Sequence, residues 1–519
     1  MNFDSALDKI FEEYFEEFLY RFSIKATKLG IHRYDYRFGS FDRMDFDSWA
    51  AELKNIKKKL FLSKIKVKKG RKLDYLLLEK RVDNELNWVA NDKEYVTNPL
   101  MYTSVIKDGL LYSAFGSHAS FNVGSKNFLD RLSAIGTIRK GVEENLQFSN
   151  YLEKAAALKD LQFLNIFVDE FSGYLLGKSN GDGKDDFKLA KAEALGEIGK
   201  MLNFIDNITL SQENRSLSFV KELKREYLGN FPLSEVRVDL RNRLSALHEL
   251  IEKKARAIKI SQSCSVTIKD ILDKKELFTI EQVAAIFDHI KSTGENIFGH
   301  TDLSVEFKLI LQNENRAFDF VKGISPGIII PSGPFDTHTV IPLTFTSPMT
   351  LSTLVFKLAS LGYPGKSYES EIKRRKESQF RAFFVNPLFD AGWEIYVKRV
   401  MSNQLKNRYG DEFELVFLYD QYSVLLKALI ENELLNNRIG IEEFKKIVEE
   451  DRIILDKDEF ASSIITENGK SLKGVLGLDF IMAIKEKVLR KKMDEKEFHI
   501  QLLSHSSLPF KFIEQGIRV

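Results

Sequence analysis

Three scattered groups in this chain have side chains that hydrolytic chemistry could use. Asp336, His338 and Ser360 supply, in that order, a carboxylate, an imidazole and a hydroxyl, the parts of a nucleophilic triad. No G-x-S-x-G elbow surrounds Ser360, and Asp336-Thr337-His338 has the composition of an ordinary turn. A metal centre is the second option. H-E-x-x-H on a helix sets two imidazoles one turn apart, with a glutamate placed to activate a metal-bound water. The chain has 8 histidines and none between His338 and His499. His248-Glu249-Leu250-Ile251-Glu252 begins the pattern but ends in glutamate, which reads as a charged helix face. Gly177 to Asp186 is acidic and glycine-rich but lacks the ligand alternation and closing glutamate of a calcium loop. His32, His300, His338 and His499 are spread along the chain with no ligand spacing.

A different kind of signal lies in Ser360-Leu361-Gly362-Tyr363-Pro364-Gly365-Lys366 and in Ala391-Gly392-Trp393-Glu394-Ile395-Tyr396. These stretches resemble the H-E-x-x-P-G-H and E-G-W-x-x-Y motifs of a zincin-like family, domain of unknown function family 885. The resemblance implies a gluzincin-type zinc hydrolase scaffold. There the two histidines and a later glutamate would hold zinc, which lowers the pKa of its bound water to about 7. In this chain Ser360 stands at the first histidine, Leu361 at the catalytic glutamate, Lys366 at the second histidine and Ala391 at the third ligand. A leucine cannot act as a base, and an ammonium repels a divalent cation. Zinc is therefore expected for the family and no cofactor for this chain.

The resemblance runs from about residue 8 to residue 516. Ala26-Thr27-Lys28-Leu29-Gly30-Ile31-His32-Arg33-Tyr34-Asp35 resembles its A-T-x-L-G-x-H-x-Y-D signature, and Asn98-Pro99 a second element of it. Phe498-His499 through Leu508-Pro509 resembles its closing Phe-His and Leu-Pro frame. Between them, Gly469 keeps one glycine of R-Y-x-x-x-P-G-Q-A-x-x-Y-K, while Gly474 and Val475 stand at the Tyr-Lys pair. Frame residues are retained where chemical residues are lost. The implied function is a catalytically degenerate peptidase homologue with a peptide-binding, partner-binding or structural role. Lys366, Tyr363, Trp393, Tyr396 and His338 are the candidate ligand-contacting residues. Two alternatives stay open: a hydrolase relocated onto Asp336, His338 and Ser360, and a metallopeptidase with other ligands.

Elements must position these residues, and the composition bounds them. The chain has 519 residues, 44% hydrophobic and 29% charged, an ordinary globular balance. Phe11, Tyr14, Phe15, Phe18, Leu19 and Phe22 recur at helical spacing opposite Glu12, Glu13, Glu16 and Glu17, which predicts a first helix that Gly30 follows. Asp74 is read as the cap of a later helix. Ile328 to Pro331 and Thr339 to Phe345 are β-branched and bounded by turn residues, which predicts strands. The expected fold is mainly α with a small sheet beside the vestigial cleft. The expected division is a helical body over 1–320 and a cleft lobe over 321–519, packed as one unit. The basic stretch from Lys54 to Lys72 and the Lys373-Arg374-Arg375-Lys376 run are read as solvated helix faces. A net charge of +2 gives no general attraction to nucleic acid or to an anionic membrane. One cysteine, Cys264, excludes an intramolecular disulfide. With no signal-like start and no membrane-length apolar run, the expectation is a cytoplasmic protein.

Overall fold

The computed structural model describes residues 6–115, 121–178, 184–211, 233–301, 305–309, 330–331, 339–343, 348–376, 381, 383–436, 438–467, 469–490 and 492–517. The fold is mainly helical, as the 3.6-residue patterning requires. The chain divides into two units, Met1–Glu213 with Ile310–Thr344, and Asn214–Leu309 with Phe345–Val519.

In the first unit, α1 (Ala6–Arg21) buries Phe11, Tyr14, Phe15, Phe18 and Leu19, the predicted aromatic face. It packs against α2 (Ser23–Lys28) and α3 (Arg43–Ser63). Asp42 caps α3 by accepting from the Asp45 amide at 2.7 Å. Then come α4 (Lys72–Asn87), α5 (Leu100–Phe115), α6 (Phe121–Asn145), α7 (Tyr151–Lys178) and α8 (Lys184–Asp206). Asp74 lies within the first turn of α4 instead of capping it, and pairs with Arg71 at 2.7 Å. The basic stretch is answered by carboxylates: Lys57 meets Asp83 at 2.6 Å, and Lys59 meets Glu13. That is the solvated face expected. A short antiparallel pairing also belongs to this unit, with Ile330 opposite Val340 and Pro331 opposite Thr339. The helices of the candidate site belong to the other unit, so this pairing is not assigned to the site. Asp336 and His338 lie outside the described residues, as do residues 179–183 of the acidic loop.

The second unit starts with α9 (Leu233–Ile258), α10 (Cys264–Leu272) and α11 (Ile280–Phe298), the last held by a reciprocal Thr279–Gln282 capping box. It continues with α12 (Leu351–Leu361), α13 (Lys366–Lys376) and α14 (Pro387–Leu435). Gly410, at φ 80° and ψ −170°, breaks α14 into two arms. Then follow α15 (Ile441–Glu450), α16 (Lys457–Glu467), α17 (Lys470–Leu489), α18 (Glu495–Leu503) and α19 (Phe510–Gly516). Residues 233–298 join this unit because α9 lies along α14. Arg243 grips Asp479 through two nitrogens at 2.7 and 3.1 Å, and Lys254 meets Glu414 at 2.5 Å.

The tightest helix contact in this unit is between α14 and α17. A Cβ on Gly392 would stand 2.4 Å from the Gly477 carbonyl carbon, and one on Gly477 would stand 2.0 Å from the Leu388 oxygen. Only glycine lets the two backbones touch in this way. Gly392 is thus explained by packing alone.

Candidate functional site

Thr350 caps α12, accepting from the Thr353 amide at 3.2 Å, and so fixes the helix that ends in Ser360 and Leu361. The chain then turns through Gly362, a cis Tyr363-Pro364 peptide and Gly365 into α13. A Cβ on Gly365 would stand 2.0 Å from the Ser360 carbonyl oxygen, and one on Gly362 would stand 2.5 Å from Phe287. The Pro-Gly frame is therefore the turn that folds α13 back on the end of α12.

The aromatic candidates belong to the core. Tyr363 is fully buried, donates to the Gly299 carbonyl and sits edge-on to Tyr368 at 4.7 Å. Burial pushes its phenol well above the ordinary range. Trp393 donates its indole N–H to the Pro364 carbonyl at 3.2 Å, tying the Gly-Trp frame to the Pro-Gly frame. Tyr396 lies 2.7 Å from Nε2 of His499, and Nδ1 of that ring lies 3.0 Å from the Ile297 carbonyl. A carbonyl can only accept, so Nδ1 carries the proton and Tyr396 donates to Nε2. Lys485 donates to the Tyr396 oxygen at 2.8 Å. Burial lowers the His499 pKa to about 3, so the ring stays neutral. Tyr363, Trp393 and Tyr396 are corrected from ligand-contacting candidates to buried frame residues. Both nitrogens of His499 are taken, so it has no lone pair for a metal.

The N-terminal signature also closes on itself, within the first unit. Thr27 donates to Asp35 at 2.6 Å, and His32 Nδ1 lies 2.7 Å from the other Asp35 oxygen. Arg131, fully buried, donates to the Gly109 carbonyl at 2.6 Å, to Ser113 at 2.8 Å and to Thr27 at 3.0 Å. Burial alone would raise the Asp35 pKa, but the His32 and Thr27 hydrogen bonds and the Arg131 charge hold it below the usual range. Arg131 is 104 residues from Thr27, and nothing in the sequence marked it.

The four positions expected for a metal site, Ser360, Leu361, Lys366 and Ala391, all belong to the second unit. Ser360 is buried, and its hydroxyl donates at 3.4 Å to the Lys357 carbonyl of its own helix. Leu361 is half-buried and Lys366 exposed. Ala391 faces Gly474, where an added Cβ would stand 3.4 Å from the Ala391 oxygen. The position expected for a third ligand and the one expected for the Tyr-Lys pair are thus neighbours. Among the described residues, no three His, Cys, Asp or Glu side chains converge on a point that could hold a metal ion. The residues present do not fit zinc.

Charges that sequence reasoning missed surround these positions. Glu369, on α13, is buried beside Asp390 of α14. Burial first, and Asp390 second, push its pKa well up, against Lys373 and Lys366. The Asp390 Oδ1 atom is buried and meets no hydrogen-bond donor among the described residues. Glu394 lies one turn beyond Ala391. Burial would raise its pKa, but Lys398 at 3.7 Å, Lys470 at 3.6 Å and the nearby Lys366 hold it down. Lys398 also meets Asp420 at 3.5 Å. The sequence does contain this signal: Lys357 is one turn before Leu361, and Glu394 and Lys398 are spaced at i and i+4.

No family model matches this chain, and no curated protein does. Two solved structures share its fold. One is described as "a putative lipoprotein of unknown function" from Shewanella oneidensis, at 14% identity and TM-score 0.72, covering 98% of this chain and 99% of that one. The other is described as a "putative lipoprotein" from Colwellia psychrerythraea, at 12% identity and TM-score 0.76, covering 99% and 98%. At such identities the likeness shows the fold. The cytoplasmic expectation is corrected by these descriptions: both similar proteins are described as putative lipoproteins. No described helix is long and apolar enough to cross a membrane.

Proposed function

We propose that this chain is a catalytically degenerate homologue of zinc-dependent peptidases, kept for a binding or structural role. Its scaffold would be that of domain of unknown function family 885. The observation that carries the reading is the contrast within one small region. Gly365, Gly392, Trp393 and Tyr396 each perform a packing or hydrogen-bonding task. Ser360, Leu361, Lys366 and Ala391, at the expected ligand and base positions, offer no metal ligand set. The charges of Lys366, Lys398 and Lys470 on Glu394, one turn beyond Ala391, favour binding over a purely structural relic, because apolar packing alone would leave no reason to hold three lysines there. A peptide or protein segment is the ligand class that the scaffold resemblance implies.

The test is metal analysis of protein purified without a histidine tag, together with peptide hydrolysis assays. Substoichiometric zinc and no turnover are expected. One equivalent of zinc per chain, or turnover abolished by a chelator, overturns the reading. A relocated Ser–His–Asp hydrolase has less support, because the Ser360 hydroxyl is buried and bonded within its own helix. Peptide or ester turnover lost in Ser360→Ala would restore it.

A further inference from the structure

We propose that the tip of the α3–α4 hairpin docks on an anionic lipid surface, with Phe61, Leu62 and Ile65 entering the headgroup layer and the neighbouring lysines meeting lipid phosphates. The proposal is independent of the degenerate-peptidase reading and concerns the first unit alone.

Three large apolar side chains exposed close together are the central observation. Phe61 is 72% exposed, Leu62 65% and Ile65 96%. They lie where α3 ends and passes into a single 3-10 turn, Lys64–Lys66. Steps of three and four place Lys54, Lys58, Phe61, Leu62 and Ile65 along one side of this helix. On the other side Leu53, Ile56, Leu60 and Ser63 are buried, where α3 packs against α1 and α4. The helix therefore already covers one apolar face, and Phe61, Leu62 and Ile65 form a second. A single exposed apolar residue needs no explanation, but a group of them marks an interaction site. At Gly70, in the connection to α4, nothing lies within 4 Å of an added Cβ, so the tip projects into open space.

Charge selects the partner. From Lys54 to Lys72 the chain carries nine lysines, one arginine and no acidic residue, a local excess that the total of +2 conceals. Lys57, Lys59 and Arg71 pair with Asp83, Glu13 and Asp8, and Lys64 stands 3.9 Å from Glu79. Lys54, Lys58, Lys68 and Lys72 are exposed and meet no carboxylate among the described residues. Lys58 and Lys68 stand three residues before Phe61 and three after Ile65, so free ammonium groups bracket the apolar side chains. Protein interfaces are depleted in lysine and built on Trp, Tyr and Arg. Elements that lie in a membrane surface combine Phe or Leu with lysine. A bilayer also accepts a projecting tip without a complementary pocket. Each lysine close to an anionic surface strengthens binding about fivefold, and salt screens that attraction.

The test is flotation of the full chain with vesicles of phosphatidylglycerol and phosphatidylcholine mixed at about one to two, against phosphatidylcholine alone. The mixed vesicles should bind at least tenfold better, and raising salt from about 0.1 M to about 0.5 M should remove most of that preference. Phe61→Ser with Leu62→Ser and Ile65→Ser should weaken binding at least tenfold. Lys58→Glu with Lys68→Glu should weaken it about twenty-fivefold or more. All five positions are exposed, so the core is left alone. Ile260→Ser, at an 89% exposed position between α9 and α10, should change nothing. Ile65→Trp should show a blue-shifted emission on the mixed vesicles. Equal binding to both kinds of vesicle, binding to neither, undiminished binding by the triple serine or the double glutamate variant, or an Ile65→Trp emission that does not move on bound vesicles overturns the proposal. So does a wild-type dimer that the triple serine variant loses, with no vesicle binding, which assigns the patch to a second copy of the chain.

Discussion

Replacing Gly392 with alanine should destabilise the second unit, although alanine is the better helix former. An added methyl would meet the Gly477 carbonyl carbon at 2.4 Å, its Cα at 2.6 Å and the Leu478 nitrogen at 2.6 Å. Carbon atoms pack at about 3.5–4.0 Å, so α14 and α17 must part by about 1 Å. The obstructing atoms are all helix backbone, which cannot turn aside as a side chain can. Overpacking of this kind costs about 1–3 kcal/mol, and rigid backbone on both sides puts this site at the top of that range. The gain in helix propensity returns only about 1 kcal/mol. The net expectation is a loss of about 2 kcal/mol. The control is Gly199→Ala, on the exposed face of α8, where nothing lies within 4 Å of the added methyl. That change should stabilise the first unit by up to about 1 kcal/mol. Urea unfolding followed by hydrogen exchange separates the units, because amides of α14 and α17 report the first variant and amides of α8 the second. If Gly392→Ala matched or exceeded wild type, the backbone contact would not be what retains this glycine.

Two further outcomes follow from the buried polar groups. His499 has a folded pKa of about 3 against an ordinary 6.5, so between those values the unfolded chain binds the extra proton. Stability of the second unit should therefore fall as pH drops from 6.5 toward 3, by on the order of 4 kcal/mol over the whole window. His499→Gln should remove this component, read as the difference between the two proteins' unfolding free energies at each pH; parallel profiles would refute it. Arg131→Met should destabilise the first unit by about 3–5 kcal/mol, because it strands the buried Asp35 carboxylate. Adding Asp35→Asn should recover part of that loss, and a double variant no more stable than the single one would contradict the pairing.

Much of the scaffold was legible in the residues. The aromatic face of α1 is buried as its spacing requires, and the basic stretch from Lys54 is answered by acids on the neighbouring helices α1 and α4. The frame motifs were readable as motifs, but their purpose was not. Gly-Trp and Pro-Gly are 29 residues apart, and only the fold shows that the Trp393 indole holds the Pro364 carbonyl. Tyr396, Trp393 and Tyr363 carry the features of ligand-binding aromatics, yet each satisfies its polar atom on backbone or on His499. A sequence does not record whether a phenol faces a cleft or a carbonyl.

What the sequence determined by itself is which side chains are absent. Ser360, Leu361, Lys366 and Ala391 cannot supply two imidazoles, a base and a third carboxylate, whatever the fold does with them. Tertiary structure alone decided what surrounds those positions. Lys357, Glu394, Lys398, Asp420 and Lys470 come from three helices, and their charges act on one another only where those helices converge. Coulomb interaction depends on distance in space and on burial, and neither is written in the order of residues along the chain.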